Sequence, residues 1–226
     1  GRSIRSFVRR GGRITKQQQH AINNLWPDFG VDFTKEPIDL MHLFGRSADT
    51  IIDIGFGNGE TLINLAKKYP EKNFLGIEVH EPGIGRCLLQ IEKNKILNLK
   101  IINHDALEVL RYQIKNQTLS RINILFPDPW PKKRHHKRRL IDKSFVKLAN
   151  DKLCLAGSIY IATDWENYAY QIDDVMNKIS TLKLINRVKH LGDKALDRSS
   201  TKFESRGLKK GHYIWDWKFI SIKPKS

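Results

Sequence analysis

An aspartate held between two prolines is the first residue of this sequence that is placed for chemistry. Asp128 lies in Phe126-Pro-Asp-Pro-Trp130, directly after the short apolar run 122–126, which is typical of a buried strand. The prolines exclude a regular helix or strand ladder, so we predict a stiff, extended loop. Because ligands in an open α/β sheet bind beyond the carboxyl ends of strands, this loop would hold Asp128 and the Trp130 ring at a reaction site.

The segment after this loop is strongly basic. Six of the eight residues from Lys132 to Arg139 are Lys or Arg, and a second basic segment runs from Arg2 to Lys16. The whole chain of 226 residues carries a formal net charge of +16. A small-molecule pocket rarely needs such charge beside it, whereas phosphate neutralisation supplies much of the affinity for nucleic acid. The clustered charge therefore favours a polyanionic partner over a merely basic soluble protein.

A glycine-rich turn follows the first strong strand pattern. Asp53-Ile-Gly-Phe-Gly-Asn-Gly-Glu60 comes at the end of the apolar run 50–54 and opens a helical pattern. Gly55 and Gly57 permit a tight turn and a close approach of ligand to backbone. The dinucleotide fingerprint needs a small residue where this chain has Glu60, and an acid there disfavours a pyrophosphate at the helix N-terminus. The ligand should be neutral or cationic at this end, which favours S-adenosylmethionine over NAD.

Three more acids come at or just after the ends of predicted strands. Glu78 lies 23 residues beyond Gly55, a spacing at which an acid reaches ribose hydroxyls; the alternative is a surface acid. Asp105 accepts a hydrogen bond from an adenine amino group or caps the next helix, and the two roles are compatible. Asp164 is a site candidate by position, and a helix cap in the simpler interpretation.

The proposed role of Asp128 follows from the chemistry of the acceptor. A ring nitrogen such as guanine N7 has a free lone pair and needs no general base, so methyl transfer to it depends mainly on in-line placement. A carboxylate that grips the Watson–Crick edge of a guanine would orient that base. This role is our hypothesis for Asp128, with a cofactor contact or a purely structural role as alternatives. Lys132 is close enough in sequence to hold a phosphate beside the same base.

The elements that position these residues alternate along the chain. Apolar runs predict seven strands, over 50–54, 73–77, 100–103, 122–126, 158–162, 182–189 and 213–223. Helical patterns separate the first six, over 61–69, 85–95, 106–114, 142–153 and 165–179. This alternation indicates a parallel sheet with helices on both faces, and the last two strands indicate an antiparallel edge. Residues 1–24 are polar and predict a mobile arm, so we divide the chain into a basic arm, 1–32, and a domain, 33–226.

Other features narrow the class of protein. No apolar run approaches the ~18 residues of a membrane span, and no secretory signal is visible. The only cysteines, Cys87 and Cys154, lie in apolar stretches, which favours a cytoplasmic protein in a reducing compartment. The histidines form no convincing metal set, because the pair His135-His136 sits in the basic loop, so we predict no metal.

Taken together, these motifs closely resemble the TrmB family of tRNA (guanine-N7)-methyltransferases. The matching stretches are 4–10, 53–59, 76–80, 104–106, 126–139, 162–165 and 201–204, and 126–139 is the most specific of them. The resemblance implies a class I S-adenosylmethionine-dependent methyltransferase fold, Rossmann-like, with a mostly parallel seven-stranded sheet and an antiparallel edge strand. It also implies that the substrate is a guanine in the variable loop of tRNA.

The resemblance also implies roles for individual residues. The cofactor-binding set is Asp53, Gly55, Gly57, Glu78, Asp105 and Asp128, with Asp128 also the catalytic residue. The substrate-binding set is Lys132, Asp164, Thr201, Lys202, Phe203 and Glu204. The family commonly has Glu where this chain has Asp53, so the resemblance does not define the contact made there. No required protein partner is indicated, which leaves a monomer or a homodimer.

Three other functions fit parts of the sequence. A non-catalytic RNA-binding module on a methyltransferase-like fold would bind tRNA without S-adenosylmethionine, and the retained glycines and acids disfavour it. An NAD(P)-dependent oxidoreductase is disfavoured by Glu60 and by the basic loop. A methyltransferase for another RNA or another ring atom differs only in its product.

Overall fold

The computed structural model describes residues 13–191 and 212–222, so the motif 4–10 and Thr201, Lys202, Phe203 and Glu204 lie outside the described residues. Within these ranges eight strands form one sheet. They are β1 (Gly30–Val31), β2 (Thr50–Ile54), β3 (Asn73–Glu78), β4 (Leu99–Asn103), β5 (Leu119–Leu125), β6 (Leu153–Thr163), β7 (Leu182–His190) and β8 (Ile214–Ser221).

The order of strands in the sheet is β1-β4-β3-β2-β5-β6-β8-β7. Neighbouring strands are parallel from β1 to β6, and β8 runs antiparallel to both β6 and β7. This confirms the predicted mostly parallel sheet with an antiparallel addition at one edge. Because the chain leaves β2 towards β3 on one side and returns to β5 on the other, a crevice opens at the carboxyl ends of these strands.

Helices connect the strands. The α-helices of the described parts are α1 (Lys16–Phe29), α2 (Leu40–Phe44), α3 (Glu60–Lys68), α4 (Glu81–Lys93), α5 (Ala106–Glu108), α6 (Lys143–Lys152) and α7 (Glu166–Asn177). A π-helical turn covers Val109–Gln113, so the helix predicted over 106–114 has α-helical form only in its first three residues. A 3₁₀ helix covers Lys133–Arg138, in the middle of the basic run.

The sheet is covered by apolar packing on both faces. Ile51 packs with Leu62 of α3 and other apolar residues on one face, while Ile52 packs with Phe145 of α6 on the other. Every residue of β2 is buried, which explains its near-continuous apolar sequence. The one charged residue of this strand, Asp53, is buried like the other residues of β2, and it lines the crevice.

The polar segment before the sheet is a packed helix from Lys16 onward rather than a mobile arm. The Thr15 hydroxyl accepts a 3.1 Å hydrogen bond from the amide of Gln18, and the Gln18 side chain accepts a 3.0 Å bond from the amide of Thr15. This capping box starts α1, whose Ala21 is buried against the apolar core that contains α3 and α4. The boundary between residues 32 and 33 stays a prediction.

The short strand β1 was not predicted either. It contains only Gly30 and Val31, which pair with β4, and two residues are too few to show a strand period. In the described ranges, none of the helices has the length and apolar character needed to cross a membrane.

Candidate active site

A cavity of about 580 Å³ opens at the carboxyl ends of β2, β3, β4 and β5. All six residues predicted to bind the cofactor line it, namely Asp53, Gly55, Gly57, Glu78, Asp105 and Asp128. They come from four separate stretches of the chain. They meet because β2, β3, β4 and β5 are parallel, so the carboxyl ends of these strands lie at the same edge of the sheet.

The glycine-rich turn forms one wall of this cavity. Gly55, Gly57 and Gly59 have φ angles of 71°, 62° and 81°, in the left-handed region that favours glycine. The third of these, Gly59, also packs closely on α4, because a Cβ atom there would lie 2.4 Å from the Cys87 sulfur. Gly55 and Gly57 therefore present only backbone to the cavity, which Phe56 and Asn58 of the same turn also line.

Glu78 ties this turn to the end of β3. Its Oε1 accepts a 2.8 Å hydrogen bond from the Gly57 amide, and its Oε2 accepts a 2.8 Å bond from the Val79 amide. Burial raises the pKa of Glu78 above its ordinary value, while hydrogen bonds from the backbone oppose that rise. The carboxylate is thus held in the cavity by backbone donors, and its two oxygens have acceptor capacity beyond these bonds for a ligand hydroxyl.

Asp53 is the most deeply buried acid of the site, with 2% of its surface exposed. Burial raises its pKa to about 7, the charge of Arg121 opposes that rise, and the charge of Glu78 adds to it. Arg121 lies 3.6 Å from the centre of the Tyr160 ring and donates a 2.6 Å hydrogen bond to Asn123, the neighbour of Asp53 on β5. A cationic ligand in the cavity would therefore favour the ionised form of Asp53.

Asp105 performs the capping role that was predicted for it. Its carboxylate accepts a 3.0 Å hydrogen bond from the Leu107 amide at the start of α5, and Asp105 also lines the cavity. The preceding residue, His104, stacks on Phe33 with ring centres 3.6 Å apart and contacts Glu108 at 3.2 Å. This packing fixes the end of β4. Asp105 is therefore placed where it can cap α5 and contact a ligand at the same time.

The loop that carries Asp128 has an unusual backbone. Phe126 and Trp130, which flank the Pro-Asp-Pro sequence, have φ angles of 54° and 43°, a region that residues other than glycine rarely adopt. The Phe126 amide donates a 2.8 Å hydrogen bond to the Ala162 carbonyl on β6. Asp128 is half-buried at the cavity, as the sequence predicts.

Of the predicted substrate residues, the structure describes Lys132 and Asp164, and neither is part of the cavity lining. Lys132 is exposed at the start of the 3₁₀ helix. Asp164 is half-buried after β6, and the alternative that it caps the next helix is wrong, because Trp165 holds that position without a side-chain hydrogen bond. The Trp130 ring packs against His135 and Arg138 at 5.8 Å and 5.1 Å.

The residues that line the cavity but were not predicted as site residues include three polar ones from separate elements: Gln18, Arg86 and His104. Gln18 was missed because its segment was interpreted as an arm, although Ile22, Leu25, Trp26 and Phe29 have the spacing of an amphipathic helix. Arg86 lies within the helical pattern of α4, where nothing in the sequence marks it as facing a ligand. Among the residues of 13–191 and 212–222, no cluster of three or more His, Cys, Asp or Glu could hold a metal ion.

Comparisons with known proteins agree with this geometry. A family described as "Putative methyltransferase" matches residues 47–217. Proteins named tRNA (guanine-N(7)-)-methyltransferase from Aeromonas hydrophila and Shewanella denitrificans are 47% and 48% identical to this chain. Each alignment covers 98% of this chain and 93% of the relative.

Solved structures with low sequence identity share the fold. The 16S rRNA methyltransferase KamB has a TM-score of 0.60 at 12% identity, covering 82% of this chain and 95% of its own. A 16S rRNA (adenine(1408)-N(1))-methyltransferase from Catenulisporales acidiphilia, solved with its cosubstrate SAM, has a TM-score of 0.60 at 14% identity. That alignment covers 87% of this chain and 95% of the other.

The sheet order, the glycine turn and the acids at the strand ends define a class I S-adenosylmethionine-dependent methyltransferase. The near-full-length similarity goes further than the fold. The chain belongs to the tRNA (guanine-N7)-methyltransferase family.

Proposed function

We propose that this protein transfers the methyl group of S-adenosylmethionine to N7 of a guanine in the variable loop of tRNA. The observation that carries the proposal is that Asp128 lines the same cavity as Asp53, Glu78 and Asp105. A carboxylate from the Pro-Asp-Pro loop thus shares one space with the acids of the cofactor site. The names of the relatives support the reaction and the substrate class.

The residues of the cavity fit the cofactor. Glu78 has acceptor capacity beyond its hydrogen bonds to the Gly57 and Val79 amides, so it can accept from the ribose hydroxyls. Asp105 caps α5 and also lines the cavity, where its carboxylate can accept from the adenine amino group. Asp53, with its pKa near 7, becomes the counter-charge at the cationic end of the ligand. When bound, S-adenosylmethionine supplies an electrophilic methyl group on a sulfonium.

Asp128 acts on the base rather than on a proton. The lone pair of guanine N7 needs no general base, so the task of the protein is to hold N7 in line with the methyl group. A carboxylate at the Watson–Crick edge accepts hydrogen bonds from the guanine and turns N7 towards the cavity. The rigid Pro-Asp-Pro backbone suits this role, because an acceptor that is already in place costs little ordering when the base arrives.

The basic surface beside the loop suits the tRNA backbone. Lys132, Lys133, Arg134 and Lys137 are all exposed, and three of them belong to the 3₁₀ helix. Their charges add to the overall +16 and attract tRNA from a distance. Asp164, together with Thr201 to Glu204 outside the described residues, completes the proposed substrate set.

The decisive experiment is methyl transfer from radiolabelled S-adenosylmethionine to unmodified tRNA, followed by chemical cleavage at 7-methylguanine. We expect one cleavage, in the variable loop. Asp128→Asn should reduce turnover at saturating tRNA by roughly 100-fold, because a misplaced base loses its alignment with the methyl group. The exposed Asp174→Asn on α7 is the matched control. Near-normal turnover of Asp128→Asn would remove Asp128 from the reaction, and methyl transfer without this cleavage would discard the N7 assignment.

A further inference from the structure

Arg139 differs from every other basic residue in the run from Lys132. It is only 3% exposed, whereas Lys132, Lys133 and Lys137 are exposed. Its Nε donates a 2.7 Å hydrogen bond to the carbonyl oxygen of Pro129, the residue directly after Asp128. A guanidinium that is buried in this way has no open face for an RNA phosphate.

The other side of Arg139 is attached to α7. Its Nη1 donates a 2.8 Å hydrogen bond to Oε1 of Gln171, and its guanidinium lies 4.8 Å from the centre of the Tyr168 ring. Gln171 in turn donates a 3.2 Å bond to the Ile141 carbonyl, and the Tyr168 hydroxyl accepts a 3.0 Å bond from the Ile141 amide. One buried network therefore joins the Pro129 carbonyl to a helix of the domain.

The loop between Phe126 and Trp130 needs such an attachment. Both flanking residues have positive φ angles, and residues other than glycine keep such strained angles only where the surrounding structure holds them there. Pro127 and Pro129 have no amide hydrogen, so they cannot donate the backbone bonds that usually fix a loop. The loop therefore has fewer backbone donors than usual, so a bond that holds one of its carbonyls has more effect, and Arg139 supplies such a bond.

We propose that Arg139 is a positioning residue, which holds the Pro129 carbonyl and so fixes the placement of the Asp128 carboxylate, and that it is not a phosphate contact. This inference rests on the proposed function, since it assigns Arg139 an effect through Asp128. It divides the basic run into an outward set that binds RNA and one inward residue that shapes the site. Residue type alone does not distinguish the two.

The test compares Arg139→Lys, Arg139→Met and Gln171→Leu with Lys137→Met from the exposed face of the same 3₁₀ helix. For each protein, turnover at saturating tRNA, KM for tRNA and the salt dependence of tRNA binding are measured. We expect both Arg139 variants to lose roughly 10- to 100-fold in turnover, because displacement of a catalytic group by about 1 Å has effects of this size. Their salt dependence should remain that of the wild type.

Arg139→Lys is informative because it keeps the charge and loses the planar fork of donors. A phosphate contact would tolerate lysine, whereas a buried two-sided attachment would not. Lys137→Met should show the opposite pattern, with weaker tRNA binding and a salt slope reduced by about one. If Arg139→Met reduces the salt slope in the same way and Arg139→Lys restores it, Arg139 is a phosphate contact and the proposal is wrong.

Gln171→Leu and one double variant exclude a general loss of structure. Gln171→Leu changes a residue of α7 outside the basic run, and it should also lower turnover while leaving KM for tRNA within about threefold. In an Asp128→Asn background, adding Arg139→Met should lower turnover by less than a further factor of about three, because the effect of Arg139 passes through Asp128. An equal loss in both backgrounds would overturn the proposal. If the wild type gives no 7-methylguanine at all, the proposed reaction fails, while the salt slopes still decide whether Arg139 contacts phosphate.

Discussion

The Glu78 carboxylate and the Gly57 amide are joined by a 2.8 Å hydrogen bond that links the end of β3 to the glycine turn after β2. The other carboxylate oxygen is held by the Val79 amide at the same distance. The glycine turn and the end of β3 are therefore held together at the cofactor cavity by the two oxygens of one side chain.

We expect Glu78→Gln to weaken S-adenosylmethionine binding by about 2 kcal/mol, or roughly 30-fold. Glutamine has only one acceptor oxygen, so its amino group would face one of the two backbone donors. Isothermal titration calorimetry gives the affinity, and the exposed Glu92→Gln on α4 is the control. An affinity of Glu78→Gln within threefold of the wild type would show that the two bonds do not support the site.

The buried Asp53 should make stability depend on pH. Its pKa is raised from 3.8 to about 7, so the folded protein holds a proton there that the unfolded chain has released. The free energy of unfolding should therefore fall as pH rises from about 4 to 7. Between pH 5 and pH 8, the wild type without cofactor should lose about 2–3 kcal/mol more than Asp53→Asn.

Urea unfolding at the two pH values measures this difference. The exposed Asp49→Asn should retain the pH dependence of the wild type. Equal pH dependence in the wild type and Asp53→Asn would show that Asp53 stays ionised in the folded protein.

Substitutions at Gly59 and Gly45 can separate the destabilisation caused by backbone strain from that caused by a steric clash. Both have positive φ angles, but a Cβ at Gly59 would lie 2.4 Å from the Cys87 sulfur, whereas one at Gly45 would meet nothing within 4 Å. Gly45→Ala should lower the free energy of unfolding by about 1 kcal/mol, from backbone strain alone. Gly59→Ala should lower it by about 3 kcal/mol, because a steric clash is added.

Urea denaturation of the two variants measures the difference. Gly59→Ala should also weaken binding of S-adenosylmethionine, since the turn it distorts lines the cavity, while Gly45→Ala should not. Equal destabilisation by the two substitutions would contradict the close packing of the turn on α4.

Two truncations test the amino-terminal segment. Removing residues 1–12 deletes Arg2, Arg5, Arg9 and Arg10 and should weaken tRNA binding more than cofactor binding. Removing residues 1–16 also removes Thr15, which caps α1, and should cost about 1 kcal/mol more in stability. Because Gln18 of this helix lines the cavity, the longer deletion should also weaken cofactor binding.

Calorimetry with S-adenosylmethionine and filter binding with tRNA separate these effects. A loss of cofactor affinity on removal of residues 1–12 that equals the loss of tRNA affinity would contradict a role of the basic segment in RNA binding.

The sequence alone located the site acids because their positions follow from the order of elements. Asp53, Glu78 and Asp105 come at or just after the ends of apolar runs, and parallel strands bring such ends to one edge. The Pro-Asp-Pro loop was predictable for a similar reason, since proline restricts the backbone locally whatever the rest of the chain does. The same local rules predicted the helix cap made by Asp105.

Other features were decided only by tertiary structure. The helical spacing of apolar residues in α1 was present in the sequence, but Pro27 and the polar surroundings obscured it. Arg138 and Arg139 are adjacent residues of the same type, yet one packs on the Trp130 ring and the other is buried against Pro129 and Gln171. The direction in which a side chain points depends on which elements lie beside it, and those neighbours come from distant parts of the chain. The sequence therefore determined which residues stand at the strand ends, while the packing of α7 decided that Arg139 is buried against Pro129 and that Arg138 packs on Trp130.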